Sequence, residues 1–205
     1  MGEEFDTALQ NISGPQEGCP IAAAKWHSFR FPPEQICEDS FQSCLDSGCP
    51  HCKGVSAYGH FHGNGYPKNQ IHASKLASES NEDGSLYGTA MLAKIIYETD
   101  RLKAMPICLR AAQQGFAWAI VRIGTELLKG TNVPQDLKGA HKWLQHAADM
   151  NDPEGLCLLA HCFLVGKGVP KNIATAISLY ERAKKAGNRL ADIGLFLAHK
   201  EAVDV

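Results

Sequence analysis

The sequence predicts an all-α fold, an α-α superhelix in which antiparallel helix pairs stack into a solenoid. A seven-residue segment occurs three times, as GNGYPKN at 63–69, GTNVPQD at 130–136 and GKGVPKN at 166–172. The second and third copies begin 36 residues apart, and each copy lies between stretches with Ala and large apolar residues at helical spacing. Recurrence of a helix–turn–helix unit at a fixed period of this size is typical of repeat arrays, whose units bury their apolar faces against their neighbours.

Composition and charge exclude several classes of protein. The 205 residues are 44% hydrophobic, which is enough to bury a core, and Lys+Arg 20 against Asp+Glu 22 gives a net charge of −2. The chain has no Lys- or Arg-rich run, so nucleic-acid binding by phosphate neutralisation is not expected. No apolar run approaches about 18 residues, the length that indicates a membrane span. The acidic N-terminus lacks the basic and apolar regions of a secretion signal, so we expect a cytoplasmic protein.

The period divides the chain into a short N-terminal segment and one solenoid domain. Residues 1–17 are polar and end near a Gly-Pro pair, so we predict that they are flexible and that the solenoid covers 18–205. The first unit is shortened and is expected to contain helices near 20–30 and 33–46. The predicted units are 18–48, 49–80, 81–115, 116–151 and 152–187, followed by a capping helix over 188–202.

The fourth unit shows the pattern most clearly. Its first helix is predicted over 116–129, with apolar residues along one face and polar residues along the other. Gly130 ends that helix, since glycine is favoured just after a helix C-terminus. Pro134 cannot continue a helix, and Asp136 lies where an N-cap side chain is expected for the second helix, over about 137–150. The recurring segment is therefore predicted to be the joint between two helices.

Shifting this unit by its period locates the neighbouring units. In the next unit, Asp152 followed by proline is expected to be an N-cap and the first helical residue. In the preceding unit, Asp100 occupies the N-cap position without a glycine–proline joint before it, so we expect a tighter turn. The step from Ala73 to Ala104 is shorter than the period, which predicts that about five residues are missing near 78–84.

Residues 119–148 follow the pattern Ala-x3-Ile-Gly-x2-Leu-x2-Gly-x2-Val-Pro-x-Asp-x3-Ala-x2-Trp-x3-Ala-Ala. This pattern resembles the Sel1-like repeat, a relative of the tetratricopeptide repeat. Residues 155–187 match it equally well, 52–80 match at the joint, and 20–47 match only in part. The resemblance implies a right-handed solenoid that holds proteins together or binds one partner in its concave groove. Members serve in protein quality control, signalling, host–microbe contact and toxin neutralisation. They share no catalytic residue, so we expect no enzyme activity.

The first functional hypothesis is a protein-interaction module that acts as an adaptor or scaffold. The groove should be lined by the first helix of each pair, and its partner should be a protein or a peptide. An immunity or antitoxin-type inhibitor is a more specific form, since small members of the family act in this way. The sequence does not give the oligomeric state. The predicted groove residues are Tyr58, Arg122, Thr125, Glu126, Lys129 and His161.

Eight cysteines are many for a cytoplasmic chain, and five of them lie within 19–52. The simplest interpretation is that Cys37, Cys44 and Cys52 are small buried residues at inward positions of the first units. A disulfide between Cys44 and Cys52 is a second interpretation. It is implied by the resemblance, since a cysteine-rich branch of the family places its bridges at this spacing.

Cys49 and Cys52 permit two further interpretations. The Cys-x2-Cys spacing suits zinc, the one cofactor that the sequence suggests. A thioredoxin-type redox motif at a helix N-terminus has the same spacing, but no βαβ context surrounds it. Under either interpretation, the alternative function is a zinc- or thiol-dependent protein with its chemistry within 37–62. The remaining zinc ligands would come from His60, His62, His51, Cys37 or Cys44.

Overall fold

The computed structural model describes residues 38–203, together with Ala8, Cys19, Pro20, Ala22 and Ala23. The predicted flexible segment, most of the first unit and Cys37 therefore lie outside the described residues. The described part of the chain contains ten helices and no strand. They are α1 (Glu38–Asp46), α2 (Pro50–His62), α3 (Gln70–Glu82), α4 (Leu86–Thr99), α5 (Arg101–Gln113), α6 (Ala117–Lys129), α7 (Leu137–Asp149), α8 (Pro153–Val165), α9 (Ile173–Lys185) and α10 (Ala191–Val203).

The helices pack as consecutive pairs in two parts of the chain. In the N-terminal part, Ser13–Phe116, α2 packs against α3 and α4 packs against α5. In the C-terminal part, Ala117–Val205, α6 packs against α7 and α8 packs against α9. Within each part, the second helix of one pair also packs against the first helix of the next. This succession confirms the predicted fold class of stacked helix pairs.

The recurring segment is the joint between the two helices of a pair, as predicted. Gly63, Gly130 and Gly166 follow α2, α6 and α8 with φ angles of 79°, 68° and 73°, a left-handed conformation that glycine adopts without strain. At the other end of the joint, the Asp136 carboxylate accepts a hydrogen bond of 2.9 Å from the backbone N–H of Gly139. The same contact is made at the start of α3 by Asn69 and at the start of α9 by Asn172.

The joint between α4 and α5 is reduced to the single residue Asp100, which confirms the expected tighter turn. The corresponding joint between α6 and α7 has the seven residues 130–136, while α4 has 14 residues against 13 in α6. Six residues fewer in the joint and one more in the helix account for the five missing residues. The gap before α4, 83–85, has the same length as the gap before α8, 150–152. The prediction that residues are missing near 78–84 was wrong, because the deletion lies at the joint.

Three helices of the N-terminal part meet at Gly54, Ser80 and Gly88. A Cβ atom built on Gly88 would lie 2.5 Å from the backbone nitrogen of Asn81, so only glycine permits this approach of α4 to α3. The Ser80 hydroxyl is fully buried and donates a 2.6 Å hydrogen bond to the carbonyl of Pro50 at the start of α2. The contact fixes the spacing of the first two helix pairs.

Large apolar side chains fill the C-terminal part, and its last helix covers them on one side. α10 begins and ends within three residues of the predicted capping helix. It packs through Ala191, Gly194 and Ala198, while Ile193 and Phe196 are exposed. None of the helices in the described part of the chain has the combined length and hydropathy that a bilayer-spanning segment requires. The largest fully buried side chains of this part are Trp143, Ile120, Ile123, Leu144, Leu156 and Leu159.

Candidate functional site

The predicted groove residues are in part exposed and in part buried. Lys129 at the end of α6 and His161 on α8 are exposed. Thr125 is buried and donates a 2.8 Å hydrogen bond to the carbonyl of Val121 within its own helix. Glu126 has no exposed surface. The prediction that Thr125 and Glu126 lie on an exposed polar face is therefore wrong.

Glu126 is buried because its carboxylate supports the joint that follows α6. The carboxylate accepts a 2.7 Å hydrogen bond from the side-chain amide of Asn132 and a longer one, 3.4 Å, from the hydroxyl of Thr131. A buried carboxylate requires such donors, since an unsatisfied charge in the interior is costly. Glu126 therefore acts in the architecture of the repeat and is unavailable to a partner.

Arg122 links the first helices of two successive pairs. Its guanidinium forms an ion pair with the Glu154 carboxylate, which places α6 next to the first turn of α8. The guanidinium also lies over the Trp118 ring, 5.9 Å from its centroid. The Arg122 side chain is only 18% exposed, so its charge is largely compensated within the C-terminal part.

One face of α8 remains exposed although most of the residues of the helix are apolar. His161 is exposed, and Val165, one helical turn further along, is 49% exposed. Leu156, Leu159 and Leu164 of the same helix are buried. The exposed part of an apolar side chain beside an exposed histidine makes this face a candidate contact surface.

Tyr58 is half-buried in the N-terminal part and lies within a group of aromatic and basic side chains. Its ring is 4.4 Å from the ring of His62, measured between centroids, and the Lys94 amine lies 5.5 Å from its centroid. Desolvation, followed by the charges of Lys94 and Lys68, lowers the pKa of His62 to about 4. His62 is therefore neutral at physiological pH and contributes an aromatic surface without a charge.

Four cysteine sulfur atoms converge at the start of the N-terminal part. The Sγ atoms of Cys19, Cys44, Cys49 and Cys52 all lie within 4.8 Å of one another. The separations are 3.6 Å for Cys19–Cys44, 4.0 Å for Cys19–Cys52 and 3.2 Å for Cys44–Cys52. The last distance exceeds the S–S bond length of about 2.05 Å, so Cys44 and Cys52 are thiols in this structure. We refer to these four residues as the cysteine cluster.

A tight turn between α1 and α2 brings three members of the cluster together. Cys44 lies in the last turn of α1, and Gly48 adopts a φ of 82° after it. The backbone N–H of Cys49 then donates a 3.3 Å hydrogen bond to the Cys44 carbonyl. Cys52 follows in the first turn of α2, where its side chain is fully buried. Cys19 reaches the same point from a distant stretch of the chain.

The environment of the cluster disfavours thiolates unless a cation is present. For Cys44, a hydrogen bond from Cys52 lowers the thiol pKa. Burial and the hydrogen bonds with Cys19 and Cys49 outweigh it and raise the pKa of Cys44 to about 11. Burial, and then the hydrogen bond to Cys44, raises the pKa of Cys52. Both groups are therefore protonated near neutral pH when no cation compensates their charge.

The predicted histidine ligands lie away from the cluster. His60 is eight residues beyond Cys52 on α2, a helical rise of about 12 Å, and its Nδ1 lies 3.1 Å from the Pro67 carbonyl. His62 lies one half-turn further on. His51 directs its Nδ1 to the Ser85 hydroxyl at 3.1 Å. Of the predicted zinc ligands, Cys49 and Cys52 therefore lie in the cluster. His60 and His62 lie at the opposite end of α2.

Comparison with known proteins identifies the family. The Sel1 repeat model matches residues 54–85, 119–152 and 153–188, and these matches follow the helix pairs and their joints. The chain belongs to the Sel1-like repeat proteins, and its fold class is their all-α solenoid. As a family, these proteins generally mediate protein–protein interactions and are generally non-catalytic.

Solved structures are similar to this chain, and two of them, with TM-scores above 0.5, share its fold. A Sel1 repeat protein from Oxalobacter formigenes is 25% identical with a TM-score of 0.62, over 76% of this chain and 47% of that one. The protein c5321, a protective antigen present in uropathogenic Escherichia coli strains, is 17% identical with a TM-score of 0.55, over 95% of this chain and 50% of that one. Cysteine rich protein B of Helicobacter pylori is 23% identical with a TM-score of 0.48, over 60% of this chain and 92% of that one. The chain spans about half the length of the first two structures.

Proposed function

We propose that the chain is a non-catalytic adaptor that binds a protein or peptide partner through the exposed face of α6 and α8. This face comprises the exposed Lys129, His161 and Val165 and the partly buried Arg122, and we call it the α6–α8 face. One observation carries the proposal: Val165 and His161 are exposed one helical turn apart on a helix that buries Leu156, Leu159 and Leu164. Interface centres combine such apolar and aromatic groups with a few polar ones.

The charges on the α6–α8 face indicate the chemistry of the partner. Arg122 is already paired with Glu154, so its charge is locally balanced. Lys129 and Val165 each precede the glycine of a joint, at equivalent positions of two successive units, and Lys129 is exposed. The face therefore offers a cation on α6 and an apolar side chain and an imidazole on α8. A peptide segment that carries a carboxylate beside an apolar side chain matches it.

The N-terminal part supplies a second, separate contact through Tyr58. The Tyr58 ring, the neutral His62 ring and the Lys94 amine form an aromatic surface with one positive charge. Tyrosine is among the residues that contribute most to protein interfaces, because it provides a large contact area at a small entropic cost. We therefore keep Tyr58 as a proposed contact of the N-terminal part, and we remove Thr125 and Glu126 from the proposed contacts of the C-terminal part.

The proposal is tested by capture of the partner followed by titration calorimetry. Wild-type chain on beads identifies the partner by mass spectrometry, and purified partner is then titrated into the variants. We expect the double variant His161→Ala/Val165→Ser to bind at least about 10-fold more weakly, the equivalent of about 1.4 kcal/mol. Lys129→Glu should also weaken binding, with an effect that shrinks at high salt.

The matched control is Lys185→Glu, which makes the same charge reversal on the exposed side of the second helix α9. Its affinity should equal that of wild type. Equal affinities for wild type, Lys129→Glu and the double variant, all with wild-type circular dichroism spectra, would show that the partner binds elsewhere. An immunity-type inhibitor is a special form of the same activity. In that form the captured partner is a toxin whose activity falls on binding.

A further inference from the structure

The cysteine cluster has the size of a zinc site. A tetrahedral Zn²⁺ ion with Zn–S bonds of about 2.3 Å holds its sulfur ligands about 3.8 Å apart. The measured Sγ separations of 3.2, 3.6 and 4.0 Å lie around this value, and all four sulfur atoms fall within 4.8 Å. We infer that Cys19, Cys44, Cys49 and Cys52 bind a structural Zn²⁺ ion. This inference is independent of the proposed partner surface.

Packing alone explains other cysteines of the chain but not this cluster. Cys108 and Cys162 are buried at inward positions of α5 and α8. Among the described residues, neither belongs to a group of three or more side chains that could hold a metal. Each of them fills an inward position of the repeat as a small apolar residue would. The cluster instead gathers sulfur atoms from three stretches of the chain, and three of its four members are only partly buried.

The position of Cys49 gives a second, independent argument. Six other helices begin with an N-cap side chain that accepts a hydrogen bond from a backbone N–H. Cys49 occupies the N-cap of α2, and its thiol makes no capping hydrogen bond. A helix N-terminus stabilises negative charge, so a metal-bound thiolate suits this position where a neutral thiol does not. The six N-cap residues are Asn69, Ser85, Asp100, Asp136, Asp152 and Asn172.

The chemistry is ligand exchange without oxidation or reduction. Each of the four S–H bonds is replaced by a Zn–S bond, and the protons pass to the solvent. Four thiolates complete the tetrahedral coordination and leave no open position for a water or a substrate, so the ion is structural. It would tie the stretch around Cys19 to the turn between α1 and α2. Phe41, Val55 and Tyr87 form the apolar surroundings that limit access of solvent.

The first test measures metal content and thiol protection on the full chain purified under reducing conditions. We expect one zinc per chain by elemental analysis. Cys49 and Cys157 are both partly buried, so they form a matched pair for alkylation with iodoacetamide and peptide mapping. Cys49 should be protected and Cys157 should react. A chelator should make Cys49 reactive and leave the reaction of Cys157 unchanged. Metal-free protein in which the two cysteines react equally would overturn the inference, as would a native disulfide between Cys44 and Cys52.

The second test separates loss of a ligand from loss of the fold. Cys19→Ser should lower zinc affinity more than about 10-fold, while His60→Ala should retain one zinc per chain. Cys49→Asp removes a ligand and supplies the N-cap oxygen that α2 lacks, so it should fold without zinc. Replacement of zinc by Co²⁺ reports the ligands directly through thiolate-to-cobalt charge-transfer bands. Full zinc retention by Cys19→Ser, or loss of zinc in His60→Ala, would refute the assigned ligand set.

Discussion

The contact of α4 with α3 at Gly88 makes a quantitative prediction about stability. In Gly88→Ala, the new Cβ would lie 2.5 Å from the backbone nitrogen of Asn81 and 2.5 Å from the carbonyl carbon of Ser80, whereas ordinary contacts begin at 3.4 Å. The two helices must therefore separate by almost 1 Å. Because both contacts are with backbone atoms, no side-chain rotation relieves the overlap.

The expected loss of stability follows from two opposing terms. Overpacking a close contact costs about 1–3 kcal/mol, and rigid backbone contacts favour the upper end. Alanine in place of glycine inside a helix stabilises the helix by about 1 kcal/mol. The net loss is therefore about 2 kcal/mol, which corresponds to a melting temperature lower by roughly 4–8 °C for a chain of this size. Separation of α3 from α4 also strains the hydrogen bond from Ser80 to Pro50.

Gly124→Ala is the matched control for this prediction. Its Cβ would lie 2.9 Å from Cγ of Leu144, a side-chain atom, so that a small shift of this side chain relieves part of the overlap. The propensity gain should then nearly cancel the crowding, leaving stability within about 1 kcal/mol of wild type. Urea unfolding followed by far-ultraviolet circular dichroism gives both values. A Gly88→Ala midpoint at or above that of wild type, or a larger loss in Gly124→Ala, would refute the reasoning.

Three further predictions concern the C-terminal part. Asn132→Ala removes the shorter hydrogen bond to the buried Glu126 carboxylate and should cost about 1.5–3 kcal/mol in urea unfolding. Asp136→Ala removes an N-cap and should cost about 1 kcal/mol, whereas Asp136→Asn should retain stability. Burial lowers the pKa of His141 from 6.5, so stability is complete above that pH and declines as the pH falls through the folded-state pKa. His141→Leu should flatten this decline, measured as urea midpoints between roughly pH 7 and pH 5.

The joints could be predicted from sequence because their signals are local. Gly130 ends one helix and Asp136 begins the next through contacts within a few residues. At Asp100, the repeat period alone was insufficient to locate the deletion. Counting residues between equivalent alanines gives the total length lost but not its position, because a shortened joint and a shortened gap between pairs change the count equally. The sequence signal for its position was the Gly-Pro joint, which is present in the other units with a recurring segment and absent before Asp100.

The burial of Glu126 illustrates a different limit of prediction from the sequence. Helical periodicity places Glu126 beside polar neighbours, and a carboxylate is ordinarily exposed. Its equivalents, four residues before the joint glycines Gly63 and Gly166, are Gly59 and Cys162, which are both buried. Alignment of the three units therefore marks the position as inward, and the Thr131-Asn132 pair of this joint supplies the donors that a buried carboxylate needs. Comparison among the repeats was more informative here than the polarity of one residue.

The cysteine cluster required long-range information that the repeat period does not contain. Cys49 and Cys52 are close in sequence, so their shared site follows from local spacing. His60 is also close in sequence, but α2 carries it about 12 Å along the helix axis and away from Cys52. Cys19 is 33 residues from Cys52, yet their sulfur atoms are 4.0 Å apart. Sequence proximity therefore favoured His60 over Cys19. For the site that we infer, the fold brings Cys19 to the turn between α1 and α2 and places His60 away from it.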